Sequence, residues 1–364
     1  MSSFSLDLVR RLAETFAPTN HEEPRRQLLA EFFAHHKVAC TTDAAGNLLV
    51  LIGRGPWDET LVLDAHFDVV GAGGGPTTLD GNRLTGQGVA DNLGSVALLA
   101  MKAAELARHP ERLSRPICFL FSVGEEGLGN LRGVQQFVAD HPNAPELFIS
   151  FDLSYLHCSK AGLGSCRYSL GVEGPGGHSW TNRNSPSAID GLIEVLGTVR
   201  RLANESAADN EADWSFNTGV IHGGEGINSI ARRAEASVEL RAVSPIVLTK
   251  FDAALRTLNL PPPLKVSCRL LGERPAAEPT LPAAVEEKIF GCYRRHSIIV
   301  TTEINSTNIN LPLAHDWPAV QLGLCQGGNI HRPDEWLDIS SLEKGWLILS
   351  DLVATLSEPV AETV

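Results

Sequence analysis

The sequence predicts an α/β protein in which a mostly parallel sheet lies between helices, with a smaller ferredoxin-like α+β domain inserted into the chain. Short apolar runs at 61–70, 117–127 and 147–154 alternate with helical segments, which is the pattern of βαβ units. Between residues 166 and 271 apolar and polar residues alternate along the strands instead, as is typical of half-exposed strands. The order of elements there becomes β-α-β-β-α-β. The first pattern returns after a Pro/Ala-rich linker at 273–284.

These patterns divide the chain into two domains. We expect one discontinuous domain, residues 1–164 and 275–364, and an inserted domain, residues 165–274. A chain of 364 residues suits two domains of about 150 residues each. It is also long enough to bury a full core without help from disulfides or metals.

The individual elements follow from apolar periodicity. Leu8, Leu12 and Phe16 recur every four residues and predict a first helix, and a second helix begins near Pro24. The run at 48–52 predicts a buried strand. Further helices are predicted at 97–106, 131–138, 188–202, 246–258 and 285–293, and further strands at 166–174, 214–221, 234–241, 264–271, 298–301 and 319–324. A capping box at 340–343 opens the last helix.

Composition excludes several classes of function. The chain is 43% hydrophobic and 20% charged, as is typical of soluble globular proteins, and its net charge of −13 disfavours nucleic acid as a partner. Apolar runs of roughly 20 residues are absent from the sequence, so we expect neither a membrane span nor a membrane partner. Seven scattered cysteines without a C-x-x-C motif, and a start unlike a signal peptide, predict a cytoplasmic protein with free thiols.

Several acidic and histidine side chains stand at or just beyond the predicted strands. His66 and Asp68 share one face of a strand, as a metal ligand and its orienting acid would, or as a core histidine paired with an acid. Asp91 follows a glycine-rich loop and could bridge two cations or cap a helix. Glu125 and Glu126 close a buried run, which predicts a cation ligand beside a water-holding acid, or an exposed acidic loop.

Two more residues extend this set. Asp152 ends an apolar strand, where its charge needs a partner, and His331 follows a glycine pair, where it could also be an ordinary surface histidine. The ends of parallel strands meet at one edge of a sheet, so we expect His66, Asp91, Glu126, Asp152 and His331 to converge there. Two imidazoles and three carboxylates suit a pair of zinc-like cations, and metal-assisted hydrolysis is the reaction that they support.

The sequence resembles the dinuclear-zinc peptidases and deacylases that include peptidase T, acetylornithine deacetylase, succinyl-diaminopimelate desuccinylase, carboxypeptidase G and aminoacylase. The resemblance covers nearly the whole chain. It is carried by the segments AHFDVV, LTGQGVADNLGSVALLA, SVGEEGLGN, SFDLS, GPGGHSW, GGEGINSIARRAEASVELR, STNINLP and GNIHRPDEWLDI. It implies a zinc-peptidase catalytic domain, an inserted lid domain that mediates dimerisation, and two divalent ions, zinc or alternatively cobalt or manganese.

The resemblance also implies a role for each residue. His66 and Asp152 correspond to ligands of the first metal, Glu126 and His331 to ligands of the second, and Asp91 to the bridging ligand, followed by a cis peptide bond. Asp68 corresponds to the carboxylate behind His66, and Glu125 to the general base that activates a metal-bridging water. His178 resembles a lid histidine that reaches the partner subunit's site. Asn228 and Arg241 resemble lid positions that hold substrate, or are a turn residue and a strand-end residue.

The implied substrate is a short peptide or an N-acyl amino acid. Asp152, the D-x-x-G-N turn at 43–47 and the S-T-N-I-N run at 306–310 resemble peptidase T-like members, which favours an exo-acting aminopeptidase or tripeptidase. A deacylase of N-acyl amino acids is the alternative, and a non-catalytic scaffold or a nucleotide binder using GAGGG at 71–75 are more distant ones. Asn308 replaces the usual Asp, which either alters recognition of a substrate amine or has no consequence; Cys325 has no assigned role.

Overall fold

The computed structural model describes residues 2–211 and 213–357. Contacts divide the chain into two compact units. The first unit comprises the described residues up to Gly162 and from Glu278 onward, and the second unit is Leu163–Ala277. Within the described part of the chain, helices long and apolar enough to cross a membrane are absent.

The elements are numbered in chain order. The first unit begins with helices α1 (Ser2–Glu14), α2 (Glu23–His35), α3 (Gly94–Leu106) and α4 (Arg132–Asp140), and strands β1 (Thr41–Thr42), β2 (Leu48–Ile52), β3 (Leu61–His66), β4 (Thr78–Asp80), β5 (Arg83–Thr85), β6 (Ile117–Ser122), β7 (Leu147–Phe151) and β8 (His157–Gly162). The second unit contains β9 (Gly164–Glu173), β10 (Gly177–His178), α5 (Ala188–Ala207), β11 (Trp214–Gly223), β12 (Ser229–Ile230), β13 (Arg233–Ala242), α6 (Pro245–Leu255) and β14 (Lys265–Arg274). The first unit resumes with α7 (Ala283–Arg295), β15 (Thr301–Asn305), α8 (Asn310–Ala314), β16 (Ala319–Leu322), β17 (Gly327–Gly328), β18 (Trp336–Asp338) and α9 (Ile339–Ser357).

An eight-stranded sheet forms the centre of the first unit. Its order is β1-β2-β6-β3-β7-β16-β8-β15. The neighbours β6-β3-β7-β16 run parallel, as do β8 and β15, whereas the other pairs are antiparallel. Every residue of β3, β6 and β7 is buried, which explains why these strands form continuous apolar runs in the sequence. The predicted mostly parallel α/β fold is therefore confirmed.

The second unit is an antiparallel sheet with two helices. The strand order β11-β13-β9-β14, joined by α5 and α6, has the β-α-β-β-α-β connectivity predicted from the sequence. Burial alternates along β13 because only one of its faces packs against α5 and α6. Ser187 caps α5 by accepting a hydrogen bond from the Ile189 N–H at 3.2 Å.

Three local predictions were wrong. Phe16 is 63% exposed, because α1 ends at Glu14 and the chain then turns away. The strand predicted at 298–301 begins only at Thr301, after a turn in which Ser297 takes a φ of +60°. At the start of α9, the N-terminal cap comes from Asp338 and not from the predicted capping box at 340–343. The Asp338 Oδ1 accepts the Ser340 N–H at 2.9 Å. The small sheet β17-β18-β5-β4 was not predicted, since its strands have only two or three residues.

Candidate metal centre

The five predicted ligands meet at the carboxyl edge of the central strands. His66 is the last residue of β3, and Glu126 and Asp152 follow β6 and β7. Asp91 lies in a wide turn at Val89–Leu93 that leads into α3, and His331 lies between β17 and β18 with a φ of +65°. Because β6, β3 and β7 are parallel neighbours, their ends bring these side chains together from distant parts of the sequence.

Asp91 stands at the middle of the cluster. Its Oδ1 is 3.1 Å from His66 Nε2, and its Oδ2 is 3.0 Å from His331 Nε2. The peptide bond from Asp91 to Asn92 is cis, as the resemblance predicted. The two oxygens of one carboxylate thus face two different imidazoles, which is the arrangement required of a residue that bridges two cations.

Each imidazole also faces a second carboxylate. Asp152 Oδ1 is 3.7 Å from His66 Nε2, and Glu126 Oε1 is 2.9 Å from His331 Nε2. The cluster therefore consists of two sets, each with one nitrogen and two carboxylates, that share Asp91. Nitrogen and carboxylate oxygen together form a donor set that zinc accepts in hydrolytic enzymes.

The electrostatics of the cluster favour bound cations. Asp152 Oδ1 is buried and has no hydrogen-bond partner among the described residues. Burial, reinforced by the nearby Asp91 charge, raises the pKa of Asp152 and raises the pKa of Glu126 to about 7. Hydrogen bonds to Asp91 and Glu126 raise the pKa of His331 to about 10. Buried carboxylates that compete for protons in this way are stabilised when divalent ions replace the protons.

Asp68 organises the residues around His66. The His66 Nδ1 lies 3.2 Å from the Asp68 carbonyl oxygen and 3.5 Å from Asp68 Oδ1, so an Nδ1–H would leave Nε2 free to bind a metal. The Asp68 carboxylate accepts the backbone N–H groups of Glu125 and Glu126, each at 3.0 Å, and the hydroxyl of Thr19 at 2.9 Å. One buried carboxylate therefore fixes both the imidazole and the turn that carries Glu125, which is itself 6% exposed.

Asn308 lies in the protein interior, behind His66. It is 1% exposed, and its amide donates to Asp64 Oδ2 at 2.9 Å and to Ser122 Oγ at 2.8 Å. Burial raises the pKa of the Asp64 carboxyl to about 6, although the hydroxyls of Ser122 and Ser150 also hydrogen-bond to it. An Asp at position 308 would place a second carboxylate against Asp64. An amide at position 308 therefore suits the neighbouring Asp64 carboxyl, and this burial gives no support to a contact with a substrate amine.

Glu335 was missed by the sequence analysis. It is 1% exposed, and its Oε1 accepts the N–H groups of Ala90 and Asp91 at 2.9 and 3.0 Å, while its Oε2 accepts the Gly88 N–H at 3.0 Å. The carboxylate therefore holds the turn that presents Asp91. The sequence feature that could have identified Glu335 is its position four residues after His331, within the segment GNIHRPDEWLDI that carries the family resemblance.

We expect Glu335→Gln to weaken metal binding by about 10- to 100-fold, the usual cost of losing a group that positions a ligand. A glutamine has one acceptor oxygen where the three N–H donors need two, and its amide hydrogens would face those donors. Titration of the metal-free protein with zinc measures the effect. Glu343→Gln is the control, because it makes the same change at an exposed position on α9. Equal zinc affinities for the two variants would contradict the assignment.

The remaining predicted residues lie in the second unit. His178 is exposed on β10, and its Nδ1 accepts the Trp180 N–H at 3.1 Å. Asn228 is exposed in the turn before β12, and Arg241 on β13 donates from Nε to Glu239 at 2.9 Å. Their predicted roles in substrate binding stay predictions.

The chain matches proteins of one hydrolase family. Residues 62–355 match peptidase family M20/M25/M40. An acetylornithine deacetylase from Photorhabdus laumondii is 25% identical over 323 residues, covering 84% of this chain and 82% of that protein. An acetylornithine deacetylase from Salmonella typhi is 24% identical over 318 residues, covering 80% of this chain and 78% of that protein.

Solved structures share the fold. A tripeptidase from Staphylococcus aureus superimposes with a TM-score of 0.74 at 17% identity, covering 98% of this chain and 99% of that chain. Aminopeptidase PepT from Bacillus cereus gives a TM-score of 0.73 at 16% identity with the same coverage. The family predicted from the motifs is therefore confirmed. Because the match spans most of the chain, the protein belongs to peptidase family M20/M25/M40 and is a metal-dependent peptidase or amidohydrolase.

Proposed function

We propose that the protein removes terminal residues from short peptides by hydrolysing an amide bond at a centre of two divalent ions, zinc being the preferred ion. The observation that carries this proposal is the pair of histidine–carboxylate sets that share Asp91, beside the turn that Asp68 fixes. His66 and Asp152 would hold one ion, Glu126 and His331 the other, with Asp91 bridging them. Bound ions would polarise the scissile carbonyl and make a water more acidic.

Glu125 would act as general base and then as general acid. It follows the same buried strand as Glu126, and its backbone N–H donates to the Asp68 carboxylate at 3.0 Å, which supports this role. It takes the proton of the attacking water and delivers it to the departing amine, so that one carboxylate both accepts and donates the proton. Asp68 and Glu335 act only by positioning, since each holds backbone or ligand groups.

Residues of the second unit would recognise the rest of the substrate. Arg241 offers a planar guanidinium for a carboxylate, Asn228 offers an amide, and His178 an imidazole that would assist the oxyanion from a partner subunit. We propose a homodimer through this unit on the basis of the motif resemblance. The seven cysteines are all free thiols, which supports a cytoplasmic location.

Peptides are favoured over N-acyl amino acids by Asp152 and by the tripeptidase and aminopeptidase among the structural neighbours. Deacylation of an N-acyl amino acid is the second candidate, because the sequence relatives are acetylornithine deacetylases. Both reactions use the same centre, and they differ in what lies on the acyl side of the scissile bond.

A substrate panel distinguishes the two candidates. Di- and tripeptides and a set of N-acetyl amino acids are assayed with the metal-free protein after addition of zinc, cobalt or manganese, and bound metal is counted by elemental analysis. We expect peptide hydrolysis that requires added metal, with two ions bound per chain. Hydrolysis of only the N-acetyl amino acids would establish the deacylase. Absence of both activities with two ions bound, or persistence of activity without metal, would refute the proposed chemistry.

A further inference from the structure

A cavity of about 200 Å³ adjoins the candidate metal centre within the first unit. Ala90, Leu153 and Ile330 line it, and each is the direct chain neighbour of a predicted metal ligand. Leu153 takes a φ of +61°, a left-handed conformation that non-glycine residues rarely adopt and that is often found at functional sites. This part of the cavity is therefore built from the same turns that carry the predicted ligands.

The wall of the cavity near the metal ligands is apolar and is kept open by small residues. Cys325 and Gly327 complete this wall, and Cys325 is 2% exposed. Burial raises the pKa of the Cys325 thiol to about 12, so the thiol stays neutral and adds an apolar surface. A Cβ at Gly327 would lie 2.3 Å from the Cβ of Ala90, so only glycine allows these two segments to approach so closely.

The cavity also has polar lining residues, which come from the edge of the sheet. His157 begins β8, and Glu303 lies on the edge strand β15. His157 Nδ1 is 2.8 Å from Glu303 Oε1, but the two groups are not aligned as a hydrogen bond, and Nδ1 has no such partner among the described residues. The Glu303 side chain is 47% exposed, so it remains accessible to a ligand.

Charge determines which side chain suits this cavity. Among the described lining residues, Glu303 offers the only carboxylate, and the chain as a whole has a net charge of −13. An aliphatic stem would contact Ala90 and Leu153, and a cationic end would reach Glu303. An uncharged side chain of the same length would fill the apolar part but would add no contact to the carboxylate beyond that of His157.

We propose that this cavity is a specificity pocket that selects substrates in which a residue flanking the scissile amide bond has an aliphatic stem and a cationic end, as in lysine or ornithine, with Glu303 as the specificity-determining residue. This inference rests on the proposed amide hydrolysis, since it names the substrate class for the same centre. It assigns Glu303 to recognition only, because the predicted ligands and Glu125 supply the chemistry.

The kinetic test compares lysine with norleucine, which has the same four-carbon stem without the ammonium group. Lys-Ala-Ala and Nle-Ala-Ala place the pair before the first amide bond, and Ala-Lys-Ala and Ala-Nle-Ala place it after that bond. We expect kcat/KM to favour lysine by about three- to tenfold at one of these positions, as suits one partly exposed charged contact. Glu303→Gln should abolish this preference by lowering kcat/KM for the lysine peptide while leaving the norleucine peptide unchanged.

Glu287→Gln is the matched control, because it removes an exposed carboxylate of the same unit that does not line the cavity. It should keep the lysine preference. Equal kcat/KM values for lysine and norleucine in the natural protein would overturn the proposal. Equal losses on both peptides in Glu303→Gln would overturn it as well, since they indicate damage to the centre rather than lost recognition.

A binding measurement keeps this test separate from the proposed function. Lysine hydroxamate and norleucine hydroxamate both chelate metal ions, and their affinities for the zinc-loaded protein are measured by calorimetry without any turnover. A three- to tenfold preference for lysine hydroxamate that Glu303→Gln removes would support the pocket even if every peptide in the panel were resistant. Equal affinities for the two hydroxamates would overturn it even if peptides were cleaved.

Discussion

Glu125→Gln should lower kcat by about 10²- to 10⁴-fold, the usual contribution of a general acid–base residue. The amide keeps the size of the carboxylate but cannot accept the proton of the attacking water. Because Glu125 is held through its backbone N–H on Asp68, the substitution should leave the turn and the metal ligands in place. KM and the number of bound ions should therefore stay close to their original values. Steady-state kinetics and elemental analysis measure these three quantities.

Glu126→Gln provides the contrast. Its side chain is adjacent in sequence, but its Oε1 lies 2.9 Å from His331 Nε2, within the cluster itself. This variant should lose metal as well as activity, and excess metal should restore part of the activity. Loss of metal from Glu125→Gln, or turnover within about tenfold of the original, would contradict the assignment of Glu125 as the base.

Arg25→Met should give the largest loss of stability, at least about 3 kcal/mol, the cost of disrupting a buried charged network. The Arg25 side chain is fully buried, and its five N–H donors all end on backbone carbonyl groups: those of Leu12, Thr15, Ala17, Phe67 and Gly73. Burial lowers the pKa of the guanidinium to about 10, so it remains charged at neutral pH. Methionine would remove all five of these hydrogen bonds to carbonyl oxygens.

Urea denaturation of the metal-free protein measures this loss. Arg26→Met is the matched control, because Arg26 is the next residue on α2 but pairs at the surface with Glu23. It should cost no more than about 1 kcal/mol. Arg25→Lys should recover little of the lost stability, since an ammonium has three donors and cannot span five carbonyls. Similar unfolding midpoints for Arg25→Met and Arg26→Met would refute the structural role of Arg25.

Arg25 also explains the GAGGG segment, which had suggested a phosphate loop. The Gly73 carbonyl oxygen accepts a hydrogen bond from the Arg25 guanidinium, and the Ala17 N–H donates to the same oxygen at 2.8 Å. A Cβ at Gly73 would lie 2.3 Å from Pro18, so this glycine allows the loop to pack against the segment that follows α1. The glycines therefore serve a close backbone contact.

The sequence by itself determined the strand–helix alternation, the ferredoxin-like insertion and the kinds of side chain at the strand ends. These features follow from periodicity and turn chemistry, which act over a few residues. The long buried strands were predicted well because both of their faces are covered, as in β3 and β6. Helix ends and strands of two or three residues were predicted poorly, because competing tertiary hydrogen bonds decide them.

Only the tertiary structure decided the surroundings of the centre. Glu335 accepts the Asp91 N–H across 244 residues of sequence, and Arg25 donates to the Phe67 carbonyl across 42. Asn308 meets Asp64 across another 244 residues, and the apolar cavity beside Glu303 likewise draws on distant turns. A single sequence has no local pattern that pairs such positions, because each hydrogen bond depends on where the sheet brings the two segments. The sequence specifies which groups can react, and the fold specifies which groups hold them.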